Sequence, residues 1–170
     1  MRARVQRFLR IDAATTDRVV AAYAAAMPGA TPTDVLAMIG SDQNYRMGMI
    51  QAAALKTASG GAPAWLYTFT WRSPAMEGVL RSPHTAEIPF VFGNTDMARD
   101  FTGDGAEVPA VRKRMMALWA SFARTGRPQA PDVPDWPAYD AASRITMLLG
   151  NEATLARDPA SAQRQVLAAI

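Results

Sequence analysis

The sequence predicts an α/β fold with few parallel strands flanked by helices, and with a sheet left incomplete. Three observations predict it. Helical patterns run through residues 16–60, then an aromatic strand, a long helix, a second short strand and a last helix follow in order. The two strands are joined by a long connection that contains a helix, which is what a parallel pair requires. Two strands are too few for a parallel sheet buried on both faces, so the chain reads as one end of a larger layered structure. With 170 residues and 49% apolar composition the chain is long enough for a real core, and it reads as one domain over 1–170 without a repeat or a dividing linker.

The elements follow from local signals. Residues 16–27, "TDRVVAAYAAAM", begin with a cap-competent Thr16 and stop at Pro28-Gly29. A short helix follows Thr31 with Pro32 in its first position and ends at Gly40. A third starts near Ser41-Asp42 and ends at Gly60-Gly61. Residues 62–71, "APAWLYTFTW", are aromatic and apolar with interleaved threonines, the pattern of a buried strand, and Trp65, Tyr67, Phe69 and Trp71 are expected in the core. After the loop "RSPAMEGVLRSP" comes "HTAEIPFVFGN". Pro109 opens a helix whose Val111, Met115, Leu118, Trp119 and Phe122 recur on one face, and Gly126 with Pro128 ends it. The proline-rich stretch 127–139 reads as a rigid loop, 144–149 ("RITMLL") as a second strand, and Asp158-Pro159 as the start of a final helix.

Composition excludes several classes of function. There is no cysteine, which removes disulfides, thiolate metal sites and a cysteine nucleophile; one histidine makes a zinc site of the usual kind improbable. The net charge of +3 comes from scattered basic residues, with only Arg112-Lys113-Arg114 and the run Arg2, Arg4, Arg7, Arg10 dense, which reads as solvated surface and not as a nucleic-acid interface. Nothing approaches the ~20 apolar residues of a membrane span, and the N-terminus lacks the apolar core of a secretory signal. As written, the chain is expected in the cytoplasm, although a longer precursor could be exported. The ten methionines are dispersed and read as soft packing.

His84 is the one histidine. A serine acyl-transfer enzyme needs a serine to attack, a histidine to take its proton and a carboxylate to hold the imidazole. In α/β-hydrolases the serine sits on a G-x-S-x-G elbow. None of Ser41, Ser59, Ser73, Ser82, Ser121, Ser143 or Ser161 has that setting, and no glycine-rich oxyanion loop is present. His84 itself follows the presumed strand by a loop, where catalytic residues of open α/β sheets lie. Taken alone, a loop histidine is more often a bystander than a base.

The segment "HTAEIPFVFGN" (84–94) resembles the histidine motif of the type-B carboxylesterase family, with His84, Glu87, Ile88, Pro89, Phe90, Phe92 and Gly93 on the pattern. "SDQNYR" (41–46), "PAWLYTFTW" (63–71), "WASFARTGRP" (119–128) and "WPAYD" (136–140) are similar to further segments of that family in the same order. The resemblance implies the C-terminal part of an α/β-hydrolase domain over 1–170. It implies that His84 is the general base, that Glu87 supports it from behind, and that Phe90 and Phe92 help wall an acyl pocket. It implies no cofactor or metal. The substrate would be a small-molecule carboxylic ester, with neither nucleic acid nor membrane as partner. The serine and acid are expected outside these residues, on a missing N-terminal half. Asp42 is conceivable as the acid, but the resemblance favours a structural pairing with Arg157 or Arg164. The alternative is a non-catalytic truncated module that acts in protein interaction or is an inactive remnant.

Overall fold

The computed structural model describes residues 1–170. In chain order it has α1 (Arg2–Leu9), α2 (Ala13–Ala26), α3 (Pro32–Ser41), α4 (Met47–Ala58), β1 (Tyr67–Phe69), α5 (Ile88–Val91), α6 (Arg99–Thr102), α7 (Val108–Thr125), β2 (Ile145–Leu149), β3 (Ala153–Arg157) and α8 (Ser161–Ala168). These form two compact units, one of residues 1–62 with 158–170, the other of residues 63–157. No helix is long and apolar enough to cross a membrane.

The first unit is helical. Its core is Val5, Val19, Val20, Tyr23, Val35, Ile39 and Leu167. Helix α2 starts earlier than Thr16, because Asp12 is the stronger cap: its carboxylate accepts from the Thr15 amide and hydroxyl, both at 2.8 Å. Thr31 closes a reciprocal capping box with Asp34 at the head of α3. The expected stop at Gly40 does not occur. The chain runs on through a π-helical turn, Asp42–Arg46, into α4. That turn carries Asp42, which is only 3% exposed. The Asp42 carboxylate accepts from the Tyr23 hydroxyl at 2.7 Å and from Arg46 through two bonds of 2.8 Å. Arg46 also donates to the Pro159 carbonyl at 3.2 Å. The expected pairing of Asp42 with Arg157 or Arg164 is therefore corrected. Arg46, one turn away, takes Asp42, and Arg164 forms its own two-bond pair with Asp158 at 2.7 Å.

The second unit holds the sheet, in the order β1-β2-β3. β1 and β2 are parallel, in the register Tyr67 with Met147 and Phe69 with Leu149, as the long helical connection predicts. The ladder is shorter than the aromatic run and spans only Tyr67–Phe69. β3 is antiparallel to β2 and was not expected: "ATLAR" has a helix-former's composition, and only the tight turn at Gly150 folds it back. The sheet is thus mixed, with β1 at one edge. α7 packs its Val108, Val111, Met115 and Leu118 into a core shared with Trp71, Phe90, Trp136, Met147 and Leu149. Gly126 ends the helix in the left-handed region at φ 72. Trp119 is half-buried, edge-on to Tyr67 at 5.2 Å. Phe122, expected in the core, is 49% exposed and rests edge-on against Trp65 at the rim.

The proline-rich stretch 127–139 holds no helix or strand. Its closing end is fixed by Tyr139, whose amide donates to Ala64 at 2.7 Å, and by the Trp136 carbonyl, which accepts from the Trp65 indole at 3.2 Å. Arg114, on α7, is buried at 8% exposure. It binds Asp132 at 2.8 Å and the carbonyls of Gly150 and Asn151 at 2.9 and 3.0 Å, joining helix, loop and hairpin turn.

Candidate active site

The site begins where β1 ends. The Thr70 amide still donates to Leu149 at 2.7 Å, so the backbone leaves the sheet only after that residue. Gly150 permits this closeness, because a Cβ there would lie 2.6 Å from Thr70 Oγ1 and 3.4 Å from the Thr70 carbonyl carbon. Trp71 then turns into the core at 1% exposure, and Ser73 follows at 2%. Ser73 closes the next stretch on itself. Its amide donates to Arg81 at 2.8 Å, and its hydroxyl donates to Phe101 at 2.6 Å and accepts from the Ala75 amide at 3.1 Å. Pro74 beside it is seated on Gly103, where a Cβ would come within 2.4 Å of Pro74 Cγ.

His84 is exposed and lies just beyond this closed loop. Ser82 ties the near side to β1 by donating to the carbonyl of Phe69, the last strand residue, at 3.1 Å. On the far side Ala86, 3% exposed, donates its amide to Pro83 at 3.1 Å. His84 is therefore the second residue of a Pro83–Ala86 turn. The third residue, Thr85, has φ 71, in a position that favours Gly or Asn. Met76, Glu77 and Arg81 also have positive φ, so four non-glycine residues are held left-handed between Ser73 and Ala86. Each costs on the order of 1 kcal/mol or more, a cost met by the bonds that define the loop.

The turn passes directly into α5, whose first residues bring the other predicted site residues. Glu87 is half-buried at its N-cap. Tyr67 on β1 has its hydroxyl pushed up to about 12, first by burial and then by the negative charge of Glu87. This places the Glu87 carboxylate within electrostatic reach of the strand. Phe90 is fully buried, with its ring 5.5 Å from both Phe69 and Trp71, and so belongs to the core. Phe92 is 75% exposed and is the one of the pair that presents an aromatic surface. Gly93, at φ 71, ends α5 against Met116, whose Sδ lies 2.7 Å from where a Cβ would be.

His84, Glu87, Phe90 and Phe92 thus share one turn and one helix of the second unit. Asp42 lies in the first unit, where both of its oxygens are engaged by Tyr23 and Arg46. No three His, Asp or Glu side chains converge as metal ligands would. A shallow depression of about 500 Å³, lined by Pro74, Ala75, Met76, Arg99, Asp100, Gly103 and Asp104, does not include His84. Sequence reasoning did not single out Ser73, Ser82 or Thr85. Isolated hydroxyl residues in a loop carry no periodic signal, and their role appears only in the hydrogen bonds.

The carboxylesterase family model matches residues 5–167. The para-nitrobenzyl esterase of Bacillus subtilis is 39% identical over 110 residues, covering 62% of this chain and 22% of that protein. The phenmedipham hydrolase of Pseudarthrobacter oxydans is 32% identical over 151 residues, covering 84% of this chain and 30% of that protein. Among solved structures, a thermophilic PNB esterase superposes with a TM-score of 0.71 at 29% identity, over 98% of this chain and 32% of that one. A carboxylesterase of Geobacillus stearothermophilus gives 0.74 at 27% identity, over 89% of this chain and 31% of that one. The chain spans less than a third of the length of each of these relatives. Its helices and mixed sheet are part of an α/β-hydrolase fold, and the chain belongs to the carboxylesterase family.

Proposed function

We propose that this chain supplies the general base, His84, of a serine carboxylic-ester hydrolase. One observation carries the reading: the sole histidine stands exposed on a doubly tethered turn beyond the C-terminal end of a parallel strand, with Glu87 one helical step behind it. This is where open α/β sheets carry their chemistry. The serine and the acid come from a companion segment, which we place against β1, the strand at the sheet edge.

In the reaction, the serine oxygen attacks the ester carbonyl carbon while its proton passes to an imidazole nitrogen of His84. The tetrahedral oxyanion collapses, the C–O bond to the alcohol breaks, and His84 returns the proton to the departing oxygen. Water then attacks the acyl-serine, again losing a proton to His84. Collapse breaks the bond from the acyl carbon to the serine oxygen, His84 returns the proton to that oxygen, and the acid is released with the serine restored. In this reading Glu87, three residues on from His84, supports the base by adding negative charge near it, which is most useful when the ring is charged. Phe92 offers an apolar wall for the acyl group.

The test is ester hydrolysis by the polypeptide that carries this segment, captured from its native cell with an antibody to residues 84–94. A short-chain para-nitrophenyl ester is the probe. Hydrolysis is expected, with a loss of at least about a thousandfold in His84→Ala. Full activity in His84→Ala overturns the assignment of the base. A folded wild-type polypeptide without hydrolysis favours the alternative, a non-catalytic module that acts in protein interaction or is an inactive remnant.

A further inference from the structure

We propose that Ser73, eleven residues before His84, is a positioning residue for that histidine: through three hydrogen bonds it fixes where the turn bearing His84 leaves the sheet. The inference rests on the reading of His84 as base. Ser73 is 2% exposed, so its hydroxyl has no access to solvent and must be satisfied within the protein. It is satisfied twice, as donor to Phe101 at 2.6 Å and as acceptor from Ala75 at 3.1 Å. Its amide closes the loop onto Arg81 at 2.8 Å. Three chain segments therefore converge on one small residue: the exit of β1, the end of the loop just before Ser82, and α6.

The geometry explains why one residue carries this task. Between Ser73 and Ser82 the chain makes its excursion through Met76, Glu77, Gly78 and Arg81, all at positive φ. Such a path does not hold itself by intrinsic preference. The Ser73 amide brings the end of the loop, Arg81, back to its start at 2.8 Å, the Ser73 hydroxyl anchors that start on Phe101 at 2.6 Å, and Ser82 reaches the Phe69 carbonyl at 3.1 Å. His84 stands two residues beyond that tether. Neither serine touches a reacting atom, and each acts through the backbone that carries the histidine. A base displaced by about 1 Å costs on the order of a hundredfold in rate.

The experiment compares Ser73→Ala, Ser82→Ala and His84→Ala in the ester-hydrolysing polypeptide, with kcat and KM measured separately and the imidazole of His84 followed by NMR. The His84 ring signal is assigned as the imidazole signal that is missing from the spectrum of the His84→Ala polypeptide. For Ser73→Ala we expect kcat to fall about ten- to a hundredfold with KM within about twofold. The His84 ring signal should move toward that of an unstructured histidine while the urea midpoint of the folded protein persists. Ser82→Ala, at an exposed position, should move both readouts the same way by a smaller factor, and it serves if Ser73→Ala does not fold. Wild-type kcat and an unmoved ring signal in the folded variants, with His84→Ala inactive, overturn the positioning role alone. Activity in His84→Ala instead overturns the reading on which it rests.

Discussion

Replacing Arg114 by methionine should destabilise the unit of residues 63–157 by about 2–4 kcal/mol. Methionine keeps much of the apolar stem of this buried α7 residue but removes every donor. Three acceptors then lose a partner. Gly150 is buried, so its carbonyl, 2.9 Å from the guanidinium, pays a desolvation penalty of about 1–3 kcal/mol. The Asp132 side chain is 49% exposed, so water replaces most of what it loses and its share is at most about 1 kcal/mol. Asn151 is exposed and adds little. The assay is urea unfolding followed by tryptophan fluorescence. All four tryptophans, Trp65, Trp71, Trp119 and Trp136, lie in this unit, so the signal reports it alone. The midpoint should fall with the slope unchanged, and Arg114→Lys should lie between the two. A loss below about 0.5 kcal/mol would refute the reasoning, because it would mean that the hairpin turn does not depend on the guanidinium.

Other outcomes follow from the same geometry. Phe90→Ala should cost about 3–5 kcal/mol, the range for deleting a buried ring, while Phe92→Ala should leave the urea midpoint within about 0.5 kcal/mol of the wild type. Equal effects at the two positions would contradict their different burial. Tyr67 ionises more reluctantly in the folded protein, at about 12 instead of 10.0. Its raised value contributes stability that is complete below pH 10 and lost as pH rises toward 12. Tyr67→Phe should flatten that part of the stability curve, read by near-ultraviolet tyrosinate absorbance together with unfolding.

The parts of the fold legible in the sequence were those written in periodic side chains. α7 shows its apolar face every three or four residues and its end in Gly126, and the β2 run is apolar apart from Thr146. The parallel pairing followed from connection length alone. What was not legible depends on contacts between distant residues. The π-turn at Asp42 arises because Tyr23 and Arg46 draw that carboxylate inward, and no single position announces it. β3 is held as a strand by β2 against the leaning of its own residues. Of the site, His84, Glu87 and the two phenylalanines came from the motif, but composition could not divide the phenylalanines. Phe90 lies within α5 and its ring meets Phe69 and Trp71, whereas Phe92, at the C-cap of that helix, stays exposed. The serines that hold the turn stayed hidden, since a hydroxyl matters only through what it reaches.

Chemical rescue tests the central claim most directly. The ester-hydrolysing polypeptide with His84→Ala is assayed with and without added imidazole. General-base catalysis by His84 predicts that imidazole restores part of the lost rate to the variant and leaves the wild type unchanged. A variant that folds with the wild-type urea midpoint yet loses no activity, or loses activity that imidazole does not restore, would contradict it.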